Sequence, residues 1–208
     1  MNKKYKFILV GILFFMLFVL FSFLVHKDMF KQFDFDNTVR LQGHIPRRFD
    51  GFFSALSYIG EVQFAALILL VILIILKKWR GLFVLFMFGF FHLFELYGKI
   101  FVSHKPPPHF LLRTEIPNNL PQFYVSTQNS YPSGHAARAL FLTVILGIIT
   151  YRSKKLKNNP KILIYCLLFL YDFLMLVSRV YLGEHWTSDV IGGSLLGISM
   201  AAISMAVY

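Results

Sequence analysis

Apolar residues run along the chain in six long stretches, each separated from the next by polar or charged positions. The first covers residues 6–25, and the others extend from about Val62 to Leu76, Gly81 to Val102, Ala136 to Thr150, Ile162 to Leu182 and Trp186 to Val207. Stretches approaching the ~20 apolar residues that a helix needs to span the hydrocarbon of a bilayer predict transmembrane helices. The first stretch is too long for the core of a secretory signal and no small-x-small cleavage site follows it, so it reads as an uncleaved span. Between the first two stretches, residues 26–60 mix Phe, Ile and Leu with charges at helix-like spacing. This predicts one or two short amphipathic helices lying along the interface, as a packed lid or connector. Pro106 to Pro108, with Pro117 and Pro121, mark the loop at 103–132 as extended and irregular. The expected fold class is all-α, a six-transmembrane-helix bundle with a short extracytoplasmic amphipathic helical segment, formed by a single domain over residues 1–208.

Composition agrees with that pattern and removes other classes. The 208 residues are 57% hydrophobic, 18% aromatic and only 15% charged, which excludes a disordered tail, a collagen-like rod and a disulfide scaffold. The single cysteine, Cys166, lies inside an apolar run and has no partner for an intramolecular disulfide. The net charge of +11 is concentrated in particular segments. Lys3, Lys4 and Lys6 open the first span, Lys77, Lys78 and Arg80 separate the second from the third, and Arg152, Lys154, Lys155, Lys157 and Lys161 separate the fourth from the fifth, with no acid among them. On the opposite side Lys27, Lys31, Arg40, Arg47 and Arg48 are mixed with Asp28, Asp34, Asp36, Asp50 and Glu61, and the later loop adds Lys105, Arg113 and Glu115. Basic residues collect in cytoplasmic segments, so both termini are expected in the cytoplasm of a multi-pass protein of the cell membrane. Topology accounts for the positive charge, which is not read as a nucleic-acid footprint; contact with anionic lipid headgroups is compatible with it.

In this orientation the third and fifth spans end on the outer side, where the fourth and sixth begin. Lys99 falls near the end of the third span, Tyr131-Pro132-Ser133-Gly134-His135 opens the fourth, Ser178-Arg179 closes the fifth, and His185 through Asp189 opens the sixth. A charge at the centre of a bilayer costs on the order of 3 kcal/mol, so a gathering of Lys99, Arg179, His135, His185 and Asp189 calls for a polar cavity and a function. Two cations, two imidazoles and a carboxylate suit the cleavage of a phosphate ester.

Each piece also has a plainer reading. His185 and Asp189, four apart, would share a helix face, with the carboxylate holding one ring nitrogen and leaving the other as nucleophile or base; a polar pair at a helix start is the alternative. Ser133 and Gly134 at a helix start offer a hydroxyl and free backbone N–H groups to a phosphate, or form an ordinary N-cap. Arg179 could fork onto phosphate oxygens or snorkel outward. Lys99 and Glu95 could be a simple i,i+4 pair. Asp172 reads as a hydrogen-bonded mid-span group, and Arg138 is expected to pair with an acid such as Glu184 or Asp172. Gly192, Gly193 and Gly197 with Ser194 predict close helix packing, while His26, His44, His92 and His109 show no ligand spacing.

Taken together, Lys99, Pro132-Ser133-Gly134-His135 and Ser178-Arg179-x5-His185-x3-Asp189 form a long pattern. With it the chain resembles the type 2 phosphatidic acid phosphatase family, integral-membrane lipid phosphatases whose motifs read K-x6-R-P, P-S-G-H and S-R-x5-H-x3-D. The second and third motifs are complete. The resemblance implies that His185 attacks phosphorus to form a phosphohistidine, that Asp189 orients it, and that His135 protonates the leaving group and then activates water. It further implies that Lys99, Arg179, Ser133 and the Gly134 amide bind the non-bridging oxygens, with no metal and no cofactor. The first motif departs from the family, because Pro106 stands where the arginine belongs. Lys105 and Arg113 are candidate replacement cations, and His104 is a further donor.

The leading expectation is an extracytoplasmic membrane phosphatase acting on a lipid phosphate or pyrophosphate, with phosphatidylglycerol phosphate, undecaprenyl pyrophosphate and phosphatidic acid equally compatible. Its partners are then the lipid substrate and the bilayer. The alternatives are a lipid phosphotransferase, a non-enzymatic lipid or anion transporter or inactive phosphate-binding protein, and a metallohydrolase using His135, His185 and Asp189 as ligands.

Overall fold

The computed structural model describes residues 3–75, 81–114 and 128–206. Within them the chain forms eight α-helices and two 3-10 turns. The helices are α1 (Lys3–His26), α2 (Lys31–His44), α3 (Asp50–Ile59), α4 (Val62–Ile75), α5 (Gly81–Phe101), α6 (Gly134–Arg152), α7 (Asn158–Tyr181) and α8 (Thr187–Met205), and the turns are Arg47–Phe49 and His109–Leu111. The cations Lys77, Lys78 and Arg80, the acid Glu115 and the prolines Pro117 and Pro121, all used in the sequence reading, lie outside the described residues.

Five helices, α1, α5, α6, α7 and α8, are each long and apolar enough to cross a membrane. The sixth expected span is built differently. At 1.5 Å rise per residue the 14 residues of α4 cover only about 21 Å, less than the ~30 Å hydrocarbon core. Residues 47–59 continue it across a break with a 53° bend, so one broken unit replaces a single straight span. Part of the segment expected along the interface thus belongs to that broken unit.

Helix α8 lies at the centre of the bundle, packed by α1, α5 and α6. Its small residues permit this. A Cβ at Gly193 or Gly197 would collide with the backbone carbonyls of Ser133 and Ala137 on α6 and its cap, which is the close packing the glycines predicted. Ser199 Oγ donates to the Gly11 carbonyl at 2.8 Å, tying α8 to α1. Phe18, Phe88, Phe91, Phe141, Ile145, Leu196 and Met200 fill the space between helices. By contrast, α1 and α7 turn Leu9, Leu13, Met16, Leu163, Phe169 and Phe173 outward. Exposed apolar side chains on a long helix are what contact with lipid tails requires, and they give a multi-pass membrane protein.

Asp172, on α7, accepts a 2.8 Å hydrogen bond from Thr143 of α6, as a mid-span polar group must find a partner. Arg138 pairs with an acid as expected, but with a different one. Its guanidinium faces Glu95 at 3.6 Å and donates to the Gly60 carbonyl at 2.8 Å, rather than reaching Glu184 or Asp172. Almost one turn along α6 from His135, it points towards α5 and the α3–α4 junction, where Glu95 and the Gly60 carbonyl lie.

Candidate phosphate-ester site

The third motif is a helix end, a turn and a helix start. Helix α7 closes at Tyr181, and Gly183 adopts φ +69°, where a side chain would also strike the Leu111 carbonyl. The turn reverses the chain so that the N–H groups of Glu184 and His185 both donate to the Arg179 carbonyl at 3.2 Å. That bond fixes His185 beside Arg179. His185 stands before α8 rather than on it, which corrects the shared helix face expected from the i,i+4 spacing. Asp189, in the first turn of α8, reaches back, and its Oδ2 accepts from the Trp186 N–H at 2.9 Å and faces His185 Nδ1 at 3.3 Å. The hydrogen bond to Nδ1 leaves Nε2 as the ring's basic nitrogen. Burial outweighs the attraction of Asp189 and pushes the His185 imidazole down to about 4, so the ring is neutral near pH 7.

The second motif meets the third through the backbone. Ser133, fully buried, caps α6, and its own N–H donates to the Asp189 carbonyl at 3.0 Å. The start of α6 and the start of α8 are thereby held together, with His135 in the first turn of α6. His135 lies within electrostatic reach of Arg179, Arg138, His185 and Lys99. Lys99, near the end of α5, is in turn within reach of Glu95, Asp189, Arg138 and Arg179. The five residues singled out by chemistry therefore converge from four helix ends. His135 Nε2 and Arg179 Nε are buried without a hydrogen-bond partner among the described residues, as donors for an incoming anion would be.

Several neighbours were not foreseen. The Arg179 guanidinium donates to Ser57 of α3 and pairs with Glu184, whose other oxygen accepts from Thr114 at 2.7 Å. Arg138 Nη2 lies 3.4 Å from His135 Nδ1. Because arginine can only donate, this contact favours the tautomer with the proton on Nε2. His104 sits between Asp189 and Asp34 of α2, its Nδ1 2.8 Å from Asp189 Oδ1. The two candidate replacement cations are elsewhere. Arg113 donates to the Gln42 and Ile45 carbonyls at 3.1 and 3.4 Å and covers the Tyr181 ring, while Lys105 is exposed, its carbonyl accepting from Trp186 Nε1. Among the described residues no group of three or more His, Cys, Asp or Glu side chains is arranged to hold a metal ion.

The sequence and the fold have counterparts among known proteins. A family model described as the PAP2 superfamily matches residues 77–208, more than half of the chain. The chain belongs to the PAP2 superfamily. Within the superfamily it is 28% identical over 122 residues to phosphatidylglycerophosphatase B of Bacillus subtilis (strain 168), covering 59% of this chain and 55% of that protein. It is 40% identical over 81 residues to undecaprenyl-diphosphatase of Sulfolobus acidocaldarius, covering 39% of this chain and 34% of the relative. The matches thus span about half and a third of those two relatives. The crystal structure of a transmembrane PAP2 type phosphatidylglycerolphosphate phosphatase from Bacillus subtilis has the same fold, with a TM-score of 0.76 at 20% identity over 94% of each chain. Aquifex aeolicus LpxE gives 0.61 at 24% identity over 83% of this chain and 94% of its own.

Proposed function

We propose that this PAP2 protein is a membrane lipid phosphatase that hydrolyses a lipid phosphate or pyrophosphate without a metal, through a phosphohistidine on His185. The observation that carries the reading is the convergence of His185, its Nδ1 held by Asp189, with His135, Lys99 and Arg179 at four helix ends. His185 Nε2 attacks phosphorus while the bond to the leaving oxygen breaks. His135, carrying a second ring proton once the phosphate dianion is bound beside it, gives its Nε2 proton to that oxygen and becomes neutral, and the oxygen leaves as an alcohol from a monophosphate ester or as a lipid monophosphate from a pyrophosphate. The same nitrogen then takes a proton from water as the water oxygen attacks the phosphohistidine, releasing inorganic phosphate and restoring His185. Lys99, Arg179, Ser133 and the Gly134 amide hold the non-bridging oxygens, whose charge is delocalised over the transferring group.

The site belongs to the extracytoplasmic side and both termini to the cytoplasm. The basic residues Lys4 and Lys6 of α1 and Arg152, Lys154, Lys155 and Lys157 of the α6–α7 connection support this, since they stand at the helix ends opposite the site. A headgroup at that depth reaches the site while its tails stay in hydrocarbon. The names of the relatives support phosphatidylglycerol phosphate and undecaprenyl pyrophosphate as the first substrates to test. We read residues 1–208 as one domain.

Purified protein in detergent, given those two lipids and phosphatidic acid with excess chelator, is expected to release phosphate, and His185→Ala to abolish release. Loss of activity with chelator would favour the metallohydrolase. Absence of release from every lipid would favour the transporter or inactive protein, and transfer to an alcohol in place of water the phosphotransferase.

A further inference from the structure

Asp34 lies on α2, outside the residues matched by the superfamily, and is 1% exposed. Its Oδ1 accepts from the Ser188 N–H at 2.8 Å and its Oδ2 from the Ser188 hydroxyl at 2.7 Å. A side chain from the outer segment thus satisfies one of the otherwise unpaired N–H groups at the start of α8. The same Oδ2 stands 3.5 Å from His104 Nε2. The other ring nitrogen, Nδ1, is 2.8 Å from Asp189 Oδ1, while Asp189 Oδ2 faces His185. Four side chains from α2, the loop after α5, α8 and the turn before α8 therefore form one continuous line from the outer segment to the nucleophile.

The backbone around His104 holds the ring in that line. Its N–H donates to Asn129 Oδ1 at 3.1 Å, its carbonyl accepts from the Ser130 N–H at 2.9 Å, and the ring meets Tyr131 edge-on with centroids 6.5 Å apart. From the elements around it, the groups that face it are Asp34, Asp189 and Tyr131. We propose that His104 is a positioning residue, anchored by Asp34, that fixes the carboxylate of Asp189 and through it the orientation and tautomer of His185. The inference rests on the reading of His185 and Asp189 as the reacting pair.

An imidazole can serve two carboxylates at once only when both nitrogens carry protons. Burial opposes that state, but the hydrogen bonds to Asp189 and Asp34 outweigh it and raise His104 to about 9. Without the ring, two buried carboxylates face each other across a gap. Like charges so placed favour protonation of one of them, and a protonated Asp189 no longer holds the His185 N–H. His104 is thus assigned to Asp189 rather than to the phosphate, even though it lies in the loop where the family's first-motif arginine is missing.

The test is phosphate release from short-chain phosphatidic acid in detergent micelles by the full chain, measured as kcat, KM and pH profile. His104→Ala is expected to lower kcat on the order of 10- to 100-fold, the scale of losing a partner that orients a functional histidine's neighbour, with KM within about 3-fold. His104→Gln, which keeps an N–H for Asp189, recovers part of that loss, and Asp34→Asn gives a smaller fall in kcat. The wild-type profile declines as pH passes about 9, and His104→Gln lacks that limb. Wild-type rates in His104→Ala, a rise in KM with kcat unchanged, or a wild-type profile flat well above pH 9 would each overturn the inference. The wild-type profile and Asp34→Asn decide it if His104→Ala does not fold. Activity retained by His185→Ala would instead overturn the proposed function, so the two failures are separable.

Discussion

The chain before residue 77 and the chain after it build the site in different ways. The later part, matched by the superfamily, supplies Lys99, Ser133, His135, Arg179, His185 and Asp189. The earlier part supplies supports: Ser57 accepts from Arg179, the Gly60 carbonyl accepts from Arg138, and Asp34 meets Ser188 and His104. Residues that do chemistry are restricted to a few types at fixed spacings, because a nucleophile, its orienting carboxylate and the phosphate donors must share one small volume. Residues that hold them need only a polar atom in the right place. The difference divides reacting groups from the framework that aims them.

The strongest test of that division is His185→Ala, which removes the proposed nucleophile. It is expected to lower kcat by about 10³-fold or more, with thermal unfolding in detergent used to check that the variant keeps its fold. A variant with near-normal turnover would end the distinction. His135→Ala should follow closely, losing about 10²- to 10⁴-fold through general acid–base catalysis.

Arg179 belongs to both parts, since the later part carries it and Ser57 from the earlier part helps aim it. Arg179→Lys is expected to lower kcat/KM by about 10²-fold, because a point charge cannot reproduce a planar fork towards phosphate. Ser57→Ala should cost only a few-fold, mainly in KM, by freeing the guanidinium to turn. Equal effects of the two variants would place Ser57 among the groups that bind phosphate.

The unequal legibility of the two parts has a physical origin. Five of the six spans emerge nearly at the predicted bounds because lipid contact demands continuous apolar runs, and Gly193 and Gly197 announce tight packing because nothing larger fits. The Ser178-Arg179-x5-His185-x3-Asp189 pattern is legible because a helix end, a glycine turn and a helix start have fixed lengths. Asp34 was legible only as one charge among many in an outer segment. Its partner Ser188 is 154 positions away, and nothing in local periodicity reports such a contact. Arg138 illustrates the same limit: helix spacing fixed its distance from His135 but not the choice of Glu95 over Glu184 or Asp172. The broken α3–α4 unit was missed because a 53° bend at Gly60 and Glu61 leaves the apolar pattern almost unchanged.

Proton linkage sharpens the comparison further, because the two histidines on either side of Asp189 are shifted in opposite directions. His185, lowered by burial to about 4, is neutral in the folded protein, whereas the unfolded ring takes up a proton near 6.5. Its contribution to stability therefore diminishes as pH falls from about 6.5 towards 4. His104, raised to about 9, contributes stability that is complete below about 6.5 and is lost as pH rises through 9. Thermal unfolding in detergent across this range should show both slopes, and His104→Gln should remove only the alkaline one. After correction for ionisation of the substrate, the acid limb of kcat/KM should lie near 4.

The smallest expected effect concerns Arg113, which sequence spacing offered as a stand-in for the missing first-motif arginine. Its guanidinium is engaged with the end of α2, donating to Gln42 and Ile45 and lying 5.1 Å above the Tyr181 ring. A cation held this way joins the end of α2 to the end of α7, a role in assembly rather than in phosphate binding. Arg113→Ala is therefore expected to change turnover by less than about 3-fold while costing about 1 kcal/mol of stability from its hydrogen bonds and cation–π contact. Lys105→Ala, on an exposed side chain, should change neither by as much. If Arg113→Ala instead raised KM 10-fold or more at unchanged thermal stability, the loop would have to supply a phosphate ligand after all, and the boundary drawn between reacting groups and framework would move to include it.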